Sequence, residues 1–231
     1  MITHIKAILW KQGKDTFKNK EILVQFVMFP VLTVIMENTM EIKGMPEHFF
    51  ANLFAVMYLG MAPLVSMAAI LAEEKEKNTL RVLLMSDVKA IEYFLGAGIY
   101  LFGICMLGAG VIGFAGGYRG SELALFLAAM AVGNLISILA GAAIGTYSRT
   151  QMMATSLTVP VMLVLAFLPM LAMFNGRIAK VAKYSYTGQM SLLLNSMGNG
   201  QKMSESLWIA GANLLVAVIL FVTVYRRKGL E

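Results

Sequence analysis

The chain has 231 residues, a formal net charge of +6, 58% hydrophobic residues, only 14% charged ones and a mean hydropathy of +0.73. A soluble domain carries about 25% charge, so the composition excludes an ordinary soluble enzyme or nucleic-acid-binding module. The apolar excess falls in blocks of about 20 residues, enough to cross roughly 30 Å of hydrocarbon as a helix, and not in the shorter alternating strands of a membrane β-barrel.

Residues 1–20 predict an amphipathic helix lying on a membrane surface. Ile5, Ile8, Leu9 and Phe17 are assigned to its apolar face, Trp10 to the interface, and Lys6, Lys11, Lys14, Lys18 and Lys20 supply positive charge. Six spans follow, at about 22–36, 49–71, 91–116, 123–147, 152–174 and 207–225. Pro30, Pro63, Pro160 and Pro169 fall inside them, which spans tolerate when neighbours satisfy the freed carbonyls. The fourth span carries Ala129, Gly133, Ser137, Gly141 and Gly145 at every fourth position. Small residues at that spacing let helix backbones approach closely and predict a crossed helix pair, with another span of the chain or with a second subunit. The longest connector, 175–206, contains an apolar patch at Met190–Leu194 and predicts a short interfacial or re-entrant helix.

Six spans place both termini on one side. Lys and Arg number thirteen on that side and six on the other, and the positive-inside rule predicts cytoplasmic termini. The basic residues flank spans, so anionic lipid headgroups account for the charge and no nucleic-acid partner is expected. No Asp, Glu, Lys or Arg lies deep in a span, as proton- or ion-coupled carriers require. The polar residues within spans, Gln25, Thr33, Asn52, Ser66, Asn134, Ser137, Thr155, Ser156, Thr158 and Asn213, are expected to hydrogen-bond mostly between helices. The lone Cys105 is a small buried hydrophobe. His4 and His48 lie outside the spans, so neither a metal set nor an intramembrane catalytic site is expected. No phosphate-binding GxxxxGK[ST] loop occurs, so the chain does not hydrolyse nucleotide itself.

One charged island, Glu73 to Gly96, hangs between the second and third spans. Glu73, Glu74 and Glu76 extend the second span beyond the lipid. Leu80, Leu83 and Leu84 recur at i, i+3, i+4 with Met85 beside them, the pattern of a short helix seated in a partner's groove. A turn near Ser86-Asp87 returns the chain to the membrane.

Glu74-Lys75-Glu76-Lys77-Asn78-Thr79-Leu80-Arg81-Val82-Leu83-Leu84-Met85-Ser86, followed by Tyr93-Phe94-Leu95-Gly96, resembles the cytoplasmic loop of ABC-2 type permeases, E-K-E-x-G-T-x-x-x-L-L-x-x-P and then Y-L-L-G-K. Asn78 stands where Gly is usual, Asp87 where Pro is usual, and Ala97 where Lys often follows the glycine. The resemblance extends along the whole chain, 1–231, as a single transmembrane domain. It implies an all-α membrane protein with six transmembrane helices, an N-terminal interface helix at 1–20, a cytoplasmic coupling segment at 73–90 and an outer connector with a helical insertion. Glu73, Glu74, Glu76, Asn78, Thr79, Leu80, Leu83, Leu84, Met85 and Ser86 would then couple to a separate ATPase subunit, which binds the ATP and Mg; the chain itself holds no cofactor. A second permease subunit, identical or related, completes the implied assembly. The implied function is export of a hydrophobic or amphipathic cargo: a peptide, toxin, antimicrobial or drug. Lipid-linked glycan and sodium are alternative cargoes, and a non-transporting immunity or sensor protein is the alternative function.

Overall fold

The computed structural model describes residues 2–40, 46–86, 88–196 and 203–229. Asp87, and the Lys43 and Lys202 counted in the charge balance, lie outside the described residues. The helices in chain order are α1 (Ile2–Lys18), α2 (Lys20–Thr39), α3 (Phe49–Glu76), α4 (Thr79–Met85), α5 (Ala90–Ala115), α6 (Gly120–Tyr147), α7 (Gln151–Phe174), α8 (Gly176–Ala182), α9 (Tyr186–Ser196) and α10 (Met203–Lys228). Among the described residues there is no strand. Six helices, α2, α3, α5, α6, α7 and α10, are long and apolar enough to cross a membrane.

These six run up and down in turn. The ends of α3 and α6 therefore meet the beginnings of α5 and α7 at one end of the bundle, the basal end, where α1 and α4 also lie. The loop 116–119 and the short α8 and α9 sit at the other, distal end.

α3 is the axis of the fold. Its apolar window is 78% buried, against 28% for α2 and 17% for α7, and it packs on α2, α5, α6, α7 and α9. α2, α7 and α10 keep wide apolar faces exposed, as lipid-facing helices do. Between spans there is no hydrophobic drive, because lipid is as apolar as leucine; close packing decides which helices pair. The small-residue stripe of α6 supplies it. Gly133 lies against Leu59, Gly141 against the Leu64 carbonyl, and Gly145 against Leu71 and Ala68, all on α3. Ser137 Oγ lies 2.6 Å from the Leu59 carbonyl, 3.0 Å from that of Gly133 and 2.7 Å from the Tyr186 hydroxyl. Ala129 at the head of the stripe is buried as well. The partner of this stripe is thus a span of the same chain.

Two expectations need correcting. The first concerns α1. Ile8, Gln12 and Thr16 form its buried stripe, with Ile8 against Gly96 of α5. Phe17 is 73% exposed and does not share that face; nine residues at about 100° each place it opposite Ile8. It falls instead on the side of Trp10, seven residues earlier and also exposed. The second concerns the polar residues in the spans. Thr33, Thr155, Ser156 and Thr158 bond back to carbonyls of their own helix, the local partner a short hydroxyl reaches without needing a neighbour. Asn52, Asn134, Ser137 and Asn213 do bridge to other segments.

The 175–196 part of the last connector is helical. α9 buries Tyr186, Met190, Leu193 and Leu194 against the spans, while Leu192 stays exposed, so the inward side of the Met190–Leu194 patch is core.

Candidate functional site

The basal end gathers the charged island. α3 continues five residues past Leu71, to Glu76, because each charged side chain of that last turn finds a partner. Glu74, only 6% exposed, accepts at Oε1 from Lys11 Nζ at 2.6 Å and Gln12 Nε2 at 2.6 Å, both on α1. Lys75 Nζ donates to the Thr146 carbonyl near the end of α6 at 2.7 Å. Glu76 Oε2 accepts the backbone N–H of Gln151 at 2.7 Å, at the start of α7, where a carboxylate also complements the helix dipole. Glu73 pairs with Lys77 within the turn and holds its ammonium above the usual range. One turn of α3 therefore grips α1, α6 and α7 together.

α3 stops at Asn78, whose backbone is left-handed with φ 56. Glycine adopts that conformation freely, and asparagine is among the few other residues that accept it. This is the physical reason that Asn can stand where the resemblance leads one to expect Gly. The turn is pinned by Thr79 Oγ1, which donates to the Glu74 carbonyl at 3.1 Å. Ser86 closes α4, its Oγ donating to the Val82 and Leu83 carbonyls.

α4 presents its faces in a way the leucine spacing does not disclose. Leu80 is fully buried in the main core, and Leu83 and Leu84 pack against that core from its edge. The stripe read from the sequence as a partner contact thus seats α4 on its own chain. The outward face consists of Arg81, Val82, Met85 and Ser86, with Val82 65% and Met85 80% exposed. Val82 and Met85, three apart, form an apolar pair with a cation beside it. Periodicity identified an apolar face; it carried no information on which of two facing surfaces that face meets.

Beside α4 a cleft of about 760 Å³ opens between α1, the start of α2, the end of α3 and the start of α7. Its walls mix both signs of charge: Lys11, Asp15, Lys18, Lys20, Glu73 and Lys77. A second tie fixes α1 to α5. His4 Nδ1 lies 2.8 Å from Glu92 Oε2, and Glu92 also accepts the Lys89 N–H at 3.2 Å, capping α5. Sequence reasoning missed His4, Gln12 and Glu92 here. The signal that existed was Gln12 at helical spacing between Ile8 and Thr16, a polar residue on a stripe headed for burial. Among the described residues, no group of three or more His, Cys, Asp or Glu is placed to hold a metal.

An all-helical bundle of six spans, with a short helix wired to the basal end of its most buried span, defines a multi-pass membrane protein. The chain belongs to the ABC-2 family of transporter proteins, whose family model matches residues 5–226. It is a membrane permease of an ABC transporter, a family that works with an ABC ATPase partner. No curated protein matches the chain.

Proposed function

We propose that the chain is the membrane-spanning subunit of an ATP-driven exporter in the bacterial plasma membrane, with both termini and α4 in the cytoplasm. A separate ATPase subunit binds ATP and Mg and docks on α4. A second permease copy, identical or related, completes the pathway, and the cargo is hydrophobic or amphipathic: a peptide, toxin, antimicrobial or drug. Such a permease performs no chemistry of its own; it converts the partner's closure into helix motion.

The observation that carries this reading is the outward Arg81–Val82–Met85–Ser86 face on a helix joined to the turn of α3 that grips α1, α6 and α7. A push on α4 reaches α3 through the Asn78 turn and the buried Leu80, and from α3 it reaches three more helices through charged hydrogen bonds. Exposed Met residues on α7, such as Met152 and Met173, offer flexible thioether surface suited to varied apolar cargo.

The test replaces the outward pair, Val82→Asp with Met85→Asp, in a tagged chain co-expressed with the ABC ATPase subunit proposed as its partner. ATPase recovered with the permease should fall at least about tenfold, the loss expected when a small interface loses its apolar anchors. Membrane insertion and thermal stability of the permease should not change. Undiminished recovery of the ATPase would overturn the docking role of α4. An amphipathic peptide that raises ATP turnover in the reconstituted complex would support the cargo class.

A further inference from the structure

We propose that the groove between α5 and α10, with the cations Lys75, Arg149 and Lys228 beyond its basal end, is a binding site for one anionic phospholipid, an acyl chain lying in the groove and the phosphate on the cations. The proposal requires that the helices span a bilayer. It does not require that the chain exports anything, so it stands or falls apart from the function proposed above.

The groove comes from the way the helices pair. α5 and α10 each pack on α6, and the space left between them measures about 380 Å³. Its lining is wholly apolar, from Phe94, Leu95 and Gly98 on α5, Leu139 and Ala142 on α6 and Phe221 on α10. Phe94 bridges the two walls, with its ring 4.8 Å from Phe221 and 5.8 Å from Tyr225. Gly98 keeps the groove open: a Cβ added there would meet no atom within 4 Å. Side chains facing an empty space forfeit their dispersion contacts on that side, and in a bilayer the material at hand to restore them is a lipid chain.

The basal end supplies the headgroup chemistry. Lys75 is held by the Thr146 carbonyl, and Arg149 follows three residues further along the chain, just past the end of α6. Lys228 Nζ rests 5.6 Å from the centre of the Tyr147 ring. Among the described residues no carboxylate lies within ion-pair distance of any of these three cations; of the two that flank Lys75 in sequence, Glu74 bonds to Lys11 and Gln12 and Glu76 to the Gln151 N–H. Three like charges with no counter-charge beside them among the described residues repel one another, and an anion among them relieves that repulsion. Lys228 is seven residues beyond Phe221, so it lies on the same face of α10 about 10 Å further on. Apolar wall and cationic rim are therefore arranged in the order of acyl chain and phosphate. The basic cluster stands where juxtamembrane cations meet anionic headgroups.

The full-length chain, delipidated in detergent, would be titrated with dioleoyl phosphatidylglycerol or dioleoyl phosphatidylcholine and read by native mass spectrometry. Wild type should retain one phosphatidylglycerol in preference to phosphatidylcholine. In Arg149→Gln with Lys228→Gln the preference should drop about thirtyfold, as two basic residues near an anionic lipid contribute. Gly98→Phe places a ring in the groove from a position where an added Cβ meets no atom within 4 Å, and should abolish retention of the bound lipid while the melting temperature holds. Excess inorganic phosphate should leave the lipid in place. Equal retention of the two lipids by wild type, or lipid retention unaffected by Gly98→Phe, would overturn the proposal. So would displacement of the lipid by inorganic phosphate alone. Loss of a dimer mass in Gly98→Phe with lipid binding intact would assign the groove to a second copy and overturn it equally.

Discussion

Tyr118 closes the distal end of the bundle. Its ring stacks between His48 at 4.2 Å and Phe126 at 4.8 Å. Its hydroxyl donates to Asn52 Oδ1 at 2.6 Å, and Asn52 Nδ2 in turn donates to Asn195 Oδ1 on α9 at 3.0 Å. Burial pushes the Tyr118 phenol up to about 12 from its ordinary 10.0. The folded state thus keeps the phenolic proton at pH values where the unfolded chain releases it. The stabilisation is full below pH 10.0 and is lost as the pH rises towards about 12. Melting curves between these values should fall more steeply for wild type than for Tyr118→Phe; parallel curves would remove Tyr118 from the alkaline transition. None of this network is visible in sequence, because Asn52, Tyr118 and Asn195 are brought together from three separate segments. Asn78 is a local case: its left-handed turn between α3 and α4 involves only its own backbone and near neighbours in sequence.

At the scale of elements, the α3–α6 crossing holds the centre of the molecule. The stripe of small residues was legible because a four-residue repeat is a local property of one helix. Its partner was not, because any span with a complementary surface satisfies the same spacing. The structure places Gly141 against the Leu64 carbonyl, a backbone atom that cannot swing aside. Gly141→Leu should therefore cost about 1–3 kcal/mol, the usual penalty of overpacking. Gly110→Leu on α5, where an added Cβ meets nothing within 4 Å, should leave stability nearly unchanged. Thermal unfolding of both variants in the same detergent separates the two, and equal stability would deny the crossing its role. The same distinction governs α4. Its leucine stripe was evident from spacing, yet tertiary packing turned Leu80 inward and left Val82 and Met85 outward. A short helix with apolar residues on more than half its circumference has two usable faces, and only the neighbours decide between them.

For the whole molecule, the up-and-down order of six spans puts α1, α4 and the end of α10 at the basal end, together with most of the basic residues. The orientation proposed above then has a direct check in a Cys105→Ala background, which removes the one native thiol, itself fully buried. A cysteine at Asn175 should react with a membrane-impermeant maleimide on intact cells, and one at Met85 only after permeabilisation. The reverse pattern would invert the topology and detach α4 from a cytoplasmic ATPase.

The sequence by itself determined the all-helical class, six spans and the existence of a charged segment between the second and third of them. Hydrocarbon imposes those on the chain one segment at a time: a span must be about 20 apolar residues long, whatever surrounds it. The tertiary structure alone decided that α3 is the axis, that Glu74, Lys75 and Glu76 grip three different helices, that Phe17 faces away from Ile8's contact, and that Lys75, Arg149 and Lys228 form one cluster. Each of these is a meeting of residues far apart in the chain. Inside a bilayer the choice among such meetings falls to the fit of particular surfaces, which no local pattern encodes.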